Sequence, residues 1–160
     1  MEQPKFLALV VDDEEIPRQM LEFSLRSEGF ECLGASDGAQ ALSMLESHSF
    51  DLVVTDIRMP NMHGHALVVQ LLTMEHPPVI AVHTSVVEPR IVKDLMRRGV
   101  DDIVFKPTDY KAFAAKMMML VSRRRLTVDN AQQSKQTATQ ASNSEDAESD
   151  ATKALSSPSA

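Results

Sequence analysis

Phe6-Leu-Ala-Leu-Val-Val-Asp-Asp-Glu-Glu15 joins six apolar residues to four acids. An uninterrupted apolar run this short fits a strand buried on both faces, as in a parallel sheet covered by helices on either side. It falls well short of the roughly 18 residues that a membrane-spanning helix needs. Four later stretches repeat the form: Glu31-Cys-Leu-Gly-Ala35, Leu52-Val-Val-Thr55, Val79-Ile-Ala-Val82 and Asp102-Ile-Val-Phe105. Strand starts recur every 21–27 residues, the length of one strand plus one helix. The predicted fold class is therefore α/β, a doubly wound (βα)5 domain around a five-stranded parallel sheet.

The intervals carry helical periodicity. Ile16, Met20, Leu21 and Leu25 are expected on one buried face, with Pro17 tolerated in the first turn and Gly29 ending the helix. Ala41, Leu42 and Leu45 mark a second helix. A third is expected to start near Gly64, to carry Ala66, Val69, Leu71 and Leu72, and to stop before Pro77-Pro78. The fourth opens with Pro89 and carries Ile91, Val92, Leu95 and Met96 up to Gly99. Phe113, Ala114, Met117, Leu120 and Val121 give the fifth its buried face.

The composition changes near Leu126. From Thr127 to Ala160 the chain is Ser, Ala, Gln, Thr and acid, with Val128 and Leu155 as its only large aliphatics. Such a stretch buries too little apolar area to offset its ordering entropy. The expected organisation is one domain over 1–126 and a disordered tail over 127–160. The tail holds five acids and two lysines of a chain whose formal charge is −7, leaving 18 acids against 14 bases in the domain. That balance lacks the basic footprint of a nucleic-acid binder. The single cysteine, Cys32, forms no internal disulfide and belongs to no zinc-ligand spacing. A cytoplasmic protein is expected, with no signal peptide and no membrane segment.

Ligands of doubly wound sheets bind outside the carboxyl ends of the strands. Asp12 and Asp13 follow the first strand, Asp56 the third, Thr84 the fourth and Lys106 the fifth. Singly, each has an ordinary explanation: a helix cap for Asp12 or Asp13, a turn residue for Asp56, a locally bonded hydroxyl for Thr84, a solvated cation for Lys106. None of these explains why they gather at one end of the sheet. Three carboxylates held together repel unless a cation neutralises them, and Mg2+ suits an all-oxygen site that also shares phosphate oxygens. With two acids as ligands the third can act as a nucleophile toward phosphorus, giving an aspartyl phosphate. Lys106 and the Thr84 hydroxyl are then available to the equatorial oxygens of the transferred group.

Val10-Val11-Asp12-Asp13-Glu14, Thr55-Asp56-Ile57-Arg58-Met59-Pro60, Thr84-Ser85 and Gly99-Val100-Asp101-Asp102-Ile103-Val104-Phe105-Lys106-Pro107 together resemble the receiver domain of two-component response regulators. The similarity runs from about Lys5 to Arg125, in order, with 22 positions from Thr84 to Lys106. The resemblance implies a flavodoxin-like sheet of strand order 2-1-3-4-5. It makes Asp56 the phosphoacceptor, fed by a phosphohistidine on a histidine kinase or a histidine phosphotransfer protein. Asp13 and Asp56 would ligate Mg2+ directly, Asp12 largely through water, and the backbone carbonyl of Arg58 would complete the protein ligands. Lys106 would contact phosphate ahead of a cis peptide to Pro107. Thr84 would move toward the phosphate and couple it to the fourth helix and fifth strand.

Position 103 is Ile where the family commonly has a rotating switch aromatic, which argues against an aromatic flip. Arg58 and Val86 fall at sites that tune dephosphorylation in the family; Arg58 is expected to hinder water and Val86 supplies no group to orient it, so a long-lived phosphoryl state is expected. His63 and His65 read as loop histidines, since His-x-His without further ligands is a weak metal signal. His83 reads as packed or solvated, and Arg123-Arg124-Arg125 as helix-terminating cations. The face formed by the fourth helix, fifth strand and fifth helix is the expected partner or dimer surface. The function expected is a single-domain response regulator that signals through protein contacts, its only catalysis being phosphoryl transfer to and from its own Asp56. Two alternatives stand beside it: a degenerate receiver used as a binding module, and a small-molecule phosphatase working through an aspartyl phosphate.

Overall fold

The computed structural model of the chain describes residues 5–153, with side chains described through residue 142. Its ten elements alternate strictly: β1 Phe6–Val11, α1 Glu15–Ser27, β2 Phe30–Ala35, α2 Gly38–Ser47, β3 Leu52–Thr55, α3 Gly64–Leu72, β4 Val79–Thr84, α4 Pro89–Arg98, β5 Asp102–Phe105 and α5 Tyr110–Lys153. The five strands pair in parallel in the order β2-β1-β3-β4-β5. Strand order reverses beside β1, where β2 lies on one side and β3 on the other.

Alternation along the central strands sends side chains to two cores. Leu9, Val11, Val53, Ile80 and Val82 meet Leu67, Val68, Leu71 and Leu95, the inner faces of α3 and α4. Ala8, Val10, Leu52, Val54 and Ala81 meet Leu21 and Leu25 of α1 and Phe113, Ala114, Met117 and Val121 of α5. The continuously apolar β1 and β3 are what two covered faces require.

One helix face departs from expectation. Leu21 and Leu25 are buried, but Ile16 is 75% and Met20 45% exposed, and Phe23 is 71% exposed. Ile16 lies about 140° round the helix from Leu21, so spacing of three and four cannot unite them on one face. Helix α1 thus carries two apolar stripes, one in the core and one in solvent. Ala66 likewise turns outward, and Leu67 and Val68 take the buried positions of α3. Gly99 closes α4 with a φ of 99°, a left-handed cap that a side chain would resist.

At the amino-terminal rim of the sheet, acids finish the strands. Asp51 Oδ2 accepts the Leu7 N–H at 2.9 Å and Asp101 Oδ2 accepts the Ile80 N–H at 2.8 Å. Main-chain bonds from Asp51 N to Leu7 O, from Val79 N to Asp51 O and from Asp101 N to Ile80 O stitch the same rim laterally.

The chain forms two compact units, the first ending at Ser122 and the second beginning at Arg123. Helix α5 continues to Lys153, beyond the change of composition at residue 126, because no Gly or Pro interrupts 110–153. Hydroxyls that compete with helix bonds elsewhere are absorbed: those of Thr127, Ser134, Thr137 and Thr139 donate to the carbonyls four residues back. Residues 125–142 are exposed throughout. Among the described residues no helix is long and apolar enough to cross a membrane.

Candidate functional site

The carboxyl ends of β1, β3, β4 and β5 deliver the predicted residues to one place. Asp12 follows β1 and is fixed twice: its N–H donates to the Ala35 carbonyl at 3.1 Å, and its Oδ1 accepts the Glu14 N–H at 2.9 Å. Asp56 follows β3, its N–H donating to Val11 O at 3.0 Å while its Oδ1 accepts the Ile57 N–H at 2.6 Å. Both are nearly buried, at 1% and 7% exposure. Asp13 stands exposed beside them.

Lys106 reaches between the two buried acids. Its Nζ lies 2.9 Å from Asp12 Oδ2 and 3.0 Å from Asp56 Oδ2. Burial pushes the Asp12 carboxyl above the usual carboxylate range, opposed by the bonds from Lys106 and the Glu14 N–H. Burial alone would lower the Lys106 ammonium, but its bonds to the two carboxylates outweigh that and raise it. The peptide from Lys106 to Pro107 is cis, as expected.

One ammonium does not neutralise three carboxylates. A ligand oxygen from each of Asp12, Asp13 and Asp56 lies within 4.8 Å of the others, a donor set that fits a hard divalent cation. A cleft of about 280 Å³ opens on this cluster, lined by Asp13, Asp56, Arg58, Thr84 and Val86 among others. Thr84 is fully buried, and its Oγ1 accepts the Val86 N–H at 3.1 Å. Ile103 is half-buried and packs against the same core cluster as Leu95 of α4.

Several contributors escaped the sequence reading. A Cβ on Gly64 would collide with the Asp56 carbonyl, and the Gly64 N–H donates to Ile57 O at 2.9 Å, so this glycine lets α3 begin against the back of the acidic loop. Arg18 Nη1 donates to the Asp12 carbonyl at 2.6 Å, tying α1 to the acidic turn. The loop histidines separate: His63 is exposed at the N-cap of α3, while His65 bonds Asp94 on α4. No signal in a single sequence marks contacts formed across loops in this way. His83 is packed, 1% exposed, with its ring against Tyr110 and Phe113.

Comparison with known proteins gives a consistent picture. The family model described as the response regulator receiver domain matches residues 8–118. Sensor histidine kinase RcsC of Salmonella typhi is 32% identical over 123 residues, which cover 76% of this chain and 13% of that protein. Sensory transduction protein RegX3 of Mycolicibacterium smegmatis is 36% identical over 115 residues, 72% of this chain and 50% of that one. The chain therefore spans half or less of these curated relatives. A response regulator receiver protein from Pseudomonas putida, a solved structure, superposes with a TM-score of 0.66 at 29% identity, over 76% of this chain and 99% of the other.

Proposed function

We propose, for a chain that belongs to the response regulator receiver domain family, that Asp56 accepts a phosphoryl group from a phosphohistidine and that the phosphorylated chain signals through protein contacts. Receiver domains of this family work with histidine kinases. The observation that carries the reading is the placement of Lys106 between Asp12 and Asp56 at the carboxyl edge of the sheet, next to an exposed third acid. A chain that used this fold only as a scaffold would have no need of that arrangement.

The residues divide the work as follows. An Asp56 carboxylate oxygen attacks phosphorus, the bond from phosphorus to the donor imidazole nitrogen breaks, and the imidazole leaves with the electron pair. Lys106 shifts from its carboxylate partners to a phosphoryl oxygen. Thr84 turns its hydroxyl from the Val86 N–H toward another. Asp12, Asp13, Asp56 and the Arg58 carbonyl would hold Mg2+, which when bound offsets carboxylate repulsion and phosphoryl charge. Autodephosphorylation is slow in this reading, because Arg58 hinders the approach of water and Val86 supplies no group to orient it.

Contact with partners follows from exposed apolar side chains. A donor presenting a phosphohistidine to Asp56 covers the mouth beside Asp13, and α1 begins two residues later with its solvent stripe of Ile16, Met20 and Phe23. On the output side, α4 exposes Met96, β5 exposes Phe105, and the first part of α5 exposes Met119. We assign the downstream partner, or a second copy, to that face, and the working domain to residues 1–126 of a cytoplasmic protein.

Acetyl phosphate and Mg2+ test the reading. The intact chain should gain the mass of one phosphoryl group, Asp56→Asn should gain none, and a chelator should block the gain. No gain in the intact chain would replace the reading with that of a binding module. Sustained turnover of varied phosphate esters would replace it with a phosphatase.

A further inference from the structure

His65 has no part in the chemistry above, yet it is not a free loop histidine. Its Nε2 lies 2.6 Å from Asp94 Oδ2, joining α3 to α4 across 29 residues of sequence. The same oxygen accepts Arg98 Nε at 2.6 Å from within α4. Arg98 first, then His65, hold the Asp94 carboxyl below its ordinary range. Asp94 is the only acid of α4, so it supplies that helix's one carboxylate for a bond to a neighbour. Beneath it, Leu67 and Val68 of α3 share an apolar cluster with Ile91 and Leu95 of α4. Apolar contacts are non-directional and tolerate sliding, whereas a hydrogen bond to a carboxylate fixes a position.

This bond connects to the phosphoacceptor by a short path. His65 follows Gly64, whose N–H is bonded to Ile57 O and whose missing side chain leaves room for the Asp56 carbonyl. On the other side of the site, Thr84 Oγ1 holds the Val86 N–H, and the chain from Ser85 to Glu88 leads directly into α4. Turning the Thr84 hydroxyl toward Asp56 releases Val86, so the segment that feeds α4 must shift. Helix α4 is then pulled by one loop while His65 anchors it to the other.

We propose that the His65–Asp94 bond is a latch that positions α4 in the arrangement described here and opposes the displacement that phosphorylation of Asp56 requires. The proposal rests on Asp56 as phosphoacceptor and Thr84 as the hydroxyl that moves to it. Both latch residues are partly exposed, so their bond carries the modest weight of a surface ion pair. Opening it should speed phosphoryl uptake about two- to fivefold, the range that weight allows.

The test compares His65→Ala, Asp94→Asn and Arg98→Ala. Arg98 bonds Asp94 within one helix, so losing it leaves α4 tied to α3. Amide hydrogen exchange along α4, measured before any phosphodonor is added, should quicken in the first two variants and not in the third. Uptake of phosphoryl from acetyl phosphate, followed by mass, should rise in the same two. Unchanged exchange in His65→Ala, unchanged uptake, or an equal rise in Arg98→Ala would each overturn the latch. Absence of uptake in the wild-type chain would instead refute the phosphoacceptor assignment, and the exchange measurement would still decide whether His65 holds α4.

Discussion

His83 offers a quantitative handle on the buried core behind the site. It projects from β4 toward α5, 1% exposed, with ring centroids 5.8 Å from those of Tyr110 and Phe113 and neither ring nitrogen bonded to a described group. Burial first, and then the Lys106 charge, push its imidazole down to about 4 from an ordinary 6.5, with Asp56 opposing. A histidine whose folded value is depressed binds its proton more readily when unfolded. Acid therefore favours the unfolded chain, and the loss begins as pH falls below the ordinary value and levels off below the folded one. With those two values, the contribution lost between about pH 7.5 and about pH 5 is about 2 kcal/mol. Replacing His83 with Leu keeps the volume roughly and removes the titrating group. Urea unfolding of both chains across that range should show wild type losing about 2 kcal/mol more than His83→Leu. At neutral pH the leucine chain should be at least as stable, since two buried nitrogens no longer lack partners. A difference between the two chains that stays constant with pH would refute the claim that burial keeps this imidazole neutral.

Other perturbations probe the site and its support. Gly64→Ala places a methyl against the main chain of Asp56 and should cost about 1–3 kcal/mol in thermal unfolding, with slower phosphoryl uptake. Lys106→Met leaves Asp12 buried without its cation and should cost about 3–5 kcal/mol in urea unfolding in the presence of a chelator. Because burial already raises Asp12, its contribution is present at acid pH and lost as pH rises through its folded value, so this penalty should shrink toward acid pH. A chain ending at Leu126 should keep the urea midpoint and the phosphoryl uptake of the full chain; a shifted midpoint would move the domain boundary. Once formed, the Asp56 phosphate should persist for minutes or longer in purified protein, and a lifetime of seconds would remove the role given to Arg58 and Val86.

The sheet was legible because parallel strands covered on both sides read as short, nearly continuous apolar runs, as Phe6–Val11, Leu52–Val54 and Val79–Val82 do. The site was legible for a related reason: in this topology, the residue after each strand is delivered to the same edge, so Asp12, Asp56 and Lys106 could be grouped without coordinates. What failed was angular. Ile16 and Met20 have helical spacing, but spacing does not say which of two apolar stripes meets the sheet. What was missed lies between elements. Gly64 against Asp56, Arg18 on the Asp12 carbonyl and His65 on Asp94 are contacts made by loops and helix flanks whose approach no periodicity encodes.

The acids at the two rims of the sheet are chemically the same residue put to opposite ends. Asp51 and Asp101 each take up a strand amide and so help to finish the sheet. Asp12 and Asp56 share a single lysine, and with Asp13 exposed beside them they leave negative charge outstanding. The sheet is thus polarised, one rim chemically finished and the other held in tension. Loops on the finished rim lie away from the reaction, and the turn of exposed residues 73–76 before β4, which carries neither rim acid, is the natural place to reopen this chain for permutation or insertion.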